Sequence, residues 1–298
     1  MVLQQHRSLR GLYRGAVYLL LLGIALVMLL PLLWLVSTAF KGPLDNIFPV
    51  SASKELALSP LENIVFFCKQ LFPHHPTWNN FVTVWQQQPF GQYFVNSLLV
   101  SSLTVTLNVL FSSLAAYPLA RLDFAGKEFI FAVVISTIMI PFQIVMIPLY
   151  VLAVELGLKN TYLGVIFPAI ASAFGIFLLR QAFQGVPKEL EEAARIDGCS
   201  ELGIWWHIML PSVRPALVTL AIFVFIGAWG EFLWPLIILD QPEYYTLPLA
   251  VSNLFSAFGL NWRLIAAGSV ISVAPVVLFF VIMQRYIVPS EAASGLKG

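Results

Sequence analysis

The residues best equipped for chemistry crowd into one stretch, where Glu189, Glu191, Glu192, Arg195, Asp197 and Glu201 lie between two long apolar segments. Elsewhere such groups are sparse. The sequence holds no nucleophile–base pair, no phosphate-binding loop and no metal cluster at ligand spacing, so any catalysis the function requires is expected on another chain. His74 and His75 are adjacent, but no Cys, Asp or Glu stands at ligand spacing around them. A solvated loop pair accounts for them more simply than a metal site, and no metal is expected. Cys68 and Cys199 are expected on opposite sides of a membrane and so cannot join within one chain.

The charged stretch has its own turn chemistry. Pro187 suits the first position of a helix, and Glu189, Glu191 and Glu192 crowd its opening turns, where the helix dipole favours negative charge. Glu191 and Arg195 stand four apart and can pair, and Gly198 sits where a left-handed terminating residue is wanted. A helix is therefore predicted over 187–197. Ser200 is a plausible N-cap for a second short helix carrying Leu202, Ile204, Trp205, Trp206 and Ile208, which Leu210-Pro211 should end. Two short helices at an angle make a knob. Ala193 and Ala194 would let another surface approach its backbone closely, with the flanking acids and Arg195 fixing register. The alternative is an amphipathic connector lying on the membrane, with Ile204 and both Trp residues among lipid headgroups.

The surrounding elements are membrane spans. With 59% hydrophobic and 10% charged residues among 298, the long uncharged runs have no aqueous core to hide in. Six helices are predicted, near 15–39, 93–118, 129–151, 161–180, 215–238 and 264–284. The first follows Arg7, Arg10 and Arg14 but is too long for a signal peptide and lacks a clear small-residue cleavage site, so it is read as an anchor. An N-terminus inside puts eleven Lys and Arg residues in the cytoplasm and five outside, which makes both termini cytoplasmic. The same assignment gives an outer loop over 40–92, irregular with one or two short helices, and a cytoplasmic loop over 184–214. No separate soluble domain is expected, so the chain reads as a single transmembrane domain over 1–298. A net charge of +1 argues against a nucleic-acid partner; lipid is the expected surrounding.

The spacing Glu192-Ala193-Ala194, three residues, Gly198, nine residues, Ile208, one residue, Leu210-Pro211 resembles the EAA signature of the membrane subunits of bacterial ABC importers. Asn96-Ser97-Leu98, Ala116 to Arg121, Gly175 to Arg180, Thr246-Leu247-Pro248 and Gly295 to Gly298 resemble the carbohydrate-uptake class, in particular its shorter six-helix subunit. The resemblance covers roughly residues 15–298. It departs near 44–75, which is longer than usual, and at Gly230, where the class has Asn in a Trp-Asn-Glu-Phe run. It implies an all-α, type I permease of the inner membrane, working with a second permease, two ATPases that bind ATP and Mg, and an external solute-binding protein. It further implies that Glu191, Glu192, Ala193, Ala194, Arg195, Asp197, Gly198, Ile208, Leu210 and Pro211 couple the chain to an ATPase.

Glu231 is the only acid inside a predicted span. An intramembrane ionisable group is a functional candidate; the competing readings are snorkelling to the surface or pairing with the partner permease. Trp229, Phe232 and Trp234 around it could stack on sugar rings or form an aromatic belt. Pro141, Pro148, Pro168, Pro235 and Pro275 are expected to kink spans around a cavity. No Lys or Arg lies deep in a span, which favours a neutral sugar over glycerol phosphate. A secondary transporter would need several paired intramembrane charges and inverted repeats, and a membrane enzyme would need a polar catalytic cluster. The sequence shows neither.

Overall fold

A computed structural model describes residues 2–47 and 71–287. The expected short apolar piece Ile64–Phe67, Cys68 and the closing Gly295–Gly298 lie outside the described residues. Among the described residues every regular element is helical. Three helices are long and apolar enough to cross a membrane unbroken: α1 (Val2–Phe40), α3 (Phe90–Arg121) and the last, α13 (Trp262–Ile287). Three bent helix pairs are apolar enough to bring the number of spans among the described residues to as many as six, if each pair is one span. Lys127–Met139, with α4 (Lys127–Ser136), meets α5 (Phe142–Glu155) at 101°, and Tyr162–Ala169, with α6 (Tyr162–Ile166), meets α7 (Ala173–Gln184) at 50°. Glu201–Ser212 meets α10 (Arg214–Gly230) at 82°.

Proline accounts for only some of these breaks. Pro141 is extended (φ −60°, ψ 132°) at the start of α5, and Pro168 sits in the 3₁₀ turn Phe167–Ala169 between α6 and α7. Pro148 and Pro275 lie within continuing helices instead of interrupting them, because a long span supplies enough other backbone bonds to carry one missing donor. Pro235 likewise lies inside α11 (Leu233–Ile238). The fifth span is therefore not the continuous helix expected over 215–238. It ends at Gly230, and Glu231 is extended (φ −66°, ψ 126°). The Glu231 carboxylate then accepts the Trp234 N–H at 3.2 Å, which helps start α11.

By their contacts the described residues form two units, one within 1–88 and 253–271 and the other within 89–252 and 272–298. In the first, α1 presents apolar side chains outward along most of its length, such as Leu19, Val27 and Met28, as lipid surroundings require. Its end is tied to α2 (Asn79–Gln87): Asn80 Nδ2 donates to the Ala39 and Lys41 carbonyls at 2.8 and 2.9 Å. The Asp45 carboxylate accepts the Gly42 and His75 backbone N–H groups at 3.0 and 3.2 Å, and Arg263 Nη2 donates to the Asp45 carbonyl at 2.6 Å. His74 and His75 are exposed, and no metal-binding group of side chains occurs among the described residues.

In the second unit α3 is the central rail, with α7 and α10 packed along it. Six of its buried polar residues, Asn96, Ser97, Ser101, Thr104, Asn108 and Ser112, recur at about one per turn. That places them on one face, and small side chains there let helices approach closely. A Cβ on Gly175 of α7 would meet Ser112 Oγ at 2.8 Å. The same face bonds the irregular segments. Asn96 Nδ2 donates to the Glu243 and Tyr245 carbonyls at 2.7 and 3.0 Å, and Ser97 Oγ accepts the Leu247 N–H at 2.7 Å, which starts α12 (Leu247–Phe258).

Candidate functional site

The charged stretch folds as two short helices. α8 (Lys188–Ile196) ends in a Schellman turn, in which Cys199 N–H donates to the Ala194 carbonyl at 2.9 Å and Gly198 N–H to that of Arg195 at 3.1 Å. Gly198 takes φ 82°, a left-handed conformation that a Cβ disfavours. Ser200 then caps α9 (Glu201–Ile204), its hydroxyl accepting the Gly203 N–H at 3.2 Å. The second helix does not stop at Leu210-Pro211 as expected. It continues through a π turn over Trp205–Met209 and a last turn over Leu210–Ser212, ending at Val213. Pro211 falls in that last turn, directly after the π turn, without stopping the helix.

The ten loop residues singled out by spacing divide by face. Glu192, Ala193, Arg195, Asp197, Gly198 and Pro211 are exposed. Ile208 and Leu210 are half-buried against the core formed by Tyr117, Leu179, Phe183, Ile204 and Met209. Glu191 and Ala194 are buried, so the Ala193-Ala194 pair does not present one open surface: a helix turns about 100° per residue, and only Ala193 faces out. The outward face also carries Ile196, 86% exposed, and Leu202, 68% exposed.

Glu191 is held inside by Arg121 of α3, whose Nε lies 2.6 Å from its Oε1, while Arg195 Nη2 stands 3.6 Å from Oε2. Burial pushes the Glu191 carboxyl above the ordinary range, against the pull of Arg121 and Arg195. Glu201 is held below it by hydrogen bonds from Arg195 and from Tyr117. Arg180 of α7 donates to the Leu119 carbonyl at 3.0 Å and to Glu128 at 2.8 Å, with its guanidinium 3.8 Å from the Phe131 ring centroid. Spacing gave no role to Tyr117, Arg121, Glu128, Arg180 or Glu201. The available signal was that Tyr117 and Arg121 stand four apart at the end of an apolar helix.

The second site is a cavity of about 340 Å³ bordered by α3, α10, the α6–α7 break and the α10–α11 break. Of the four residues expected on a solute path, it is lined by Glu231 and Trp234 and not by Trp229 or Phe232. Trp229 is buried, donating to the Ser272 carbonyl at 3.1 Å and packed on Phe94 and Phe225. Trp234 is fixed in place, Nε1 donating to the Gly164 carbonyl at 2.9 Å and its ring edge-to-face with Phe142.

Thr104, Asn108 and Ser172, which sequence reasoning missed, also line the cavity. Asn108 Nδ2 donates to the Ala169 carbonyl at 2.8 Å, and its Oδ1 accepts from Ser112 and Ser172 at 3.3 Å each. Ser172 N–H donates to Ser112 Oγ at 3.3 Å. These bonds satisfy the backbone where the α6–α7 span is broken, as irregular backbone within a membrane requires.

Known proteins share both sequence and shape with this chain. The profile of the family described as "Binding-protein-dependent transport system inner membrane component" matches residues 108–292. The arabinooligosaccharides transport system permease protein AraQ of Halalkalibacterium halodurans is 41% identical over 227 residues, covering 76% of this chain and 81% of its own. A chain from the crystal structure of a bacterial ABC transporter involved in the import of the acidic polysaccharide alginate superposes with a TM-score of 0.76 at 23% identity, over 92% of this chain and 96% of that one. A chain from the crystal structure of a bacterial alginate ABC transporter in complex with alginate pentasaccharide-bound periplasmic protein superposes with a TM-score of 0.54 at 17% identity, over 78% of this chain and 88% of that one. Match length and identity together decide the matter: this membrane-embedded chain is no enzyme, but belongs to the binding-protein-dependent transport system inner membrane components, the permease subunits of ABC importers.

Proposed function

We propose that the chain forms half of the membrane path of an ATP-driven sugar importer of the inner membrane, with both termini cytoplasmic, and that residues 188–212 seat in one subunit of an ATPase pair. The observation that carries the docking reading is the outward face of the knob. Glu192, Ala193, Asp197 and Gly198 are exposed beside Ile196 and Leu202, and exposed apolar groups ringed by charge mark an interaction surface. ATP and Mg belong to the ATPases. A second permease completes the path, and an external binding protein delivers the solute; the alginate transporter's complex with a periplasmic protein is the precedent.

A neutral oligosaccharide is the solute that the cavity favours. Its lining includes no Lys or Arg, one acid in Glu231, an aromatic face in Trp234, and hydroxyl and amide groups in Thr104, Asn108 and Ser172. The AraQ relative is named for arabinooligosaccharides, in keeping with that chemistry. Membership of the importer family weighs against an ion-gradient-driven transporter.

The chain is to be purified with its permease and ATPase partners, wild type beside Gly198→Asp, which adds a side chain and a charge at a left-handed position. Loss of the ATPases from a folded permease pair is the expected result. Retention with unchanged coupled hydrolysis overturns the docking role. In liposomes, the complex should take up labelled arabinotriose or raffinose; uptake of glycerol phosphate and of neither sugar would overturn the solute class.

A further inference from the structure

We propose that Arg121 and Tyr117 of α3, with Glu191, Arg195 and Glu201 of the knob, form a closed ring of polar contacts that makes α3 and the knob move as one body. They are positioning residues for transport. This rests on the reading that the knob seats the ATPase.

The ring can be followed atom by atom. Arg121 Nε meets Glu191 Oε1 at 2.6 Å, Glu191 Oε2 meets Arg195 Nη2 at 3.6 Å, and Arg195 Nε donates to Glu201 Oε1 at 2.9 Å. Glu201 Oε2 accepts the Tyr117 hydroxyl proton at 2.6 Å, which returns the ring to α3. Arg121 also donates through Nη2 to the Val186 carbonyl just before α8. The Glu191 side chain is 4% exposed and that of Arg121 5%. An ATPase therefore cannot reach the Glu191 carboxylate, whose role must be internal.

The geometry resists pivoting. Residues 117 and 121 are one turn, about 6 Å, apart on α3, and each holds a different helix of the knob, Arg121 to Glu191 of α8 and Tyr117 to Glu201 of α9, which Arg195 joins to each other. A single contact would let one helix swing about the other.

The ring also brackets the one weak place at this end of α3. Pro118 lies between Tyr117 and Arg121 inside the helix and has no N–H to give to the backbone ladder. Fastened on both sides of that residue, the knob splints the turn. Beyond it α3 continues unbroken to Asn108, nine residues and about 14 Å away, which lines the cavity and bonds the α6–α7 break. A displacement at the knob thus reaches the cavity wall without crossing a hinge.

The test uses the complete importer in lipid nanodiscs with Cys68 and Cys199 replaced by Ser and a reporter, Gly227→Cys, on the cavity lining, where an added Cβ meets nothing within 4 Å. Alkylation by N-ethylmaleimide is measured without nucleotide and with ATP and vanadate. Tyr117→Phe and Arg121→Glu should retain the ATPases and basal hydrolysis, yet reduce the nucleotide-driven change in alkylation at least fivefold. The exchange Arg121→Glu with Glu191→Arg should recover at least half of that change. Persistence of the nucleotide-driven change in the single variants, or no recovery in the exchange, overturns the ring's role. Should the charge variants fail to assemble, Tyr117→Phe decides, since it removes one hydroxyl and keeps the ring size. Gly198→Asp in the same complexes separates the two ideas: retention of the ATPases there defeats the docking reading, whatever Tyr117→Phe does.

Discussion

At the knob, order comes first from near neighbours: Ser200 caps a helix three residues on, Gly198 closes the one before it, and Arg195 reaches Glu201 six residues along. At the cavity, order comes from partners sixty or more residues distant, Asn108 to Ala169 and Ser172, Trp234 to Gly164. The difference teaches where sequence changes will hurt. A local cap lost in water is replaced by solvent, whereas a polar group stranded among apolar spans has no replacement partner.

Asn108→Leu should break that comparison open most widely. It removes the donor to the Ala169 carbonyl and the acceptor for two serines, all in a buried setting. A destabilisation of about 2–3 kcal/mol is expected from the stranded groups, seen as a lowered thermal midpoint of the purified permease pair. An unchanged midpoint would mean that water already serves this break and that the cavity end is no more long-range in its construction than the knob.

Ser200→Ala should do less. Loss of the cap on the Gly203 N–H is worth about 1 kcal/mol, and Ser200 is exposed, so water takes part of the hydroxyl's place. Gly198→Ala falls in the same range, about 1–2 kcal/mol for a Cβ at φ 82° with open space around it. Both are expected to leave the permease pair assembled, with the loss read as faster protease cleavage within 188–212. Either variant matching Asn108→Leu in the thermal midpoint would show that the knob's local caps weigh as much in the fold as the long-range bonds at the cavity.

That contrast explains which parts of the molecule were legible in its sequence. The helix over 188–196, its left-handed end at Gly198 and the cap at Ser200 follow rules that act within a few residues. The six spans were legible because apolar length is a local property. The break at Glu231–Phe232 was not, since nothing between 215 and 238 except Gly230 marks it, and the Pro235 that seemed to mark a kink continues a helix. The inward turn of Glu191 was equally hidden, because its partner Arg121 lies seventy residues earlier on another helix. Asn108 and Ser172 look like ordinary residues in apolar spans until α3 is laid against the α6–α7 break.

The smallest structural effect, and the most informative for the cavity, is expected from Glu231→Gln. The amide oxygen can still accept the Trp234 N–H that Glu231 Oε1 accepts at 3.2 Å, so α11 should start as before and the thermal midpoint should move by no more than about 0.5 kcal/mol equivalent. What changes is the charge on a group lining the cavity. A solute hydroxyl donating to a carboxylate gains more than one donating to a neutral amide, roughly 1 kcal/mol. Arabinotriose uptake by the reconstituted importer should therefore fall about fivefold while stability holds. Glu231→Ala would remove both the cap and the charge, lowering stability by about 1 kcal/mol as well. Full uptake in Glu231→Gln alongside a destabilised Glu231→Ala would assign this acid to the helix start alone, and the solute would then owe its selection at this cavity to Trp234, Thr104 and the Asn108 cluster.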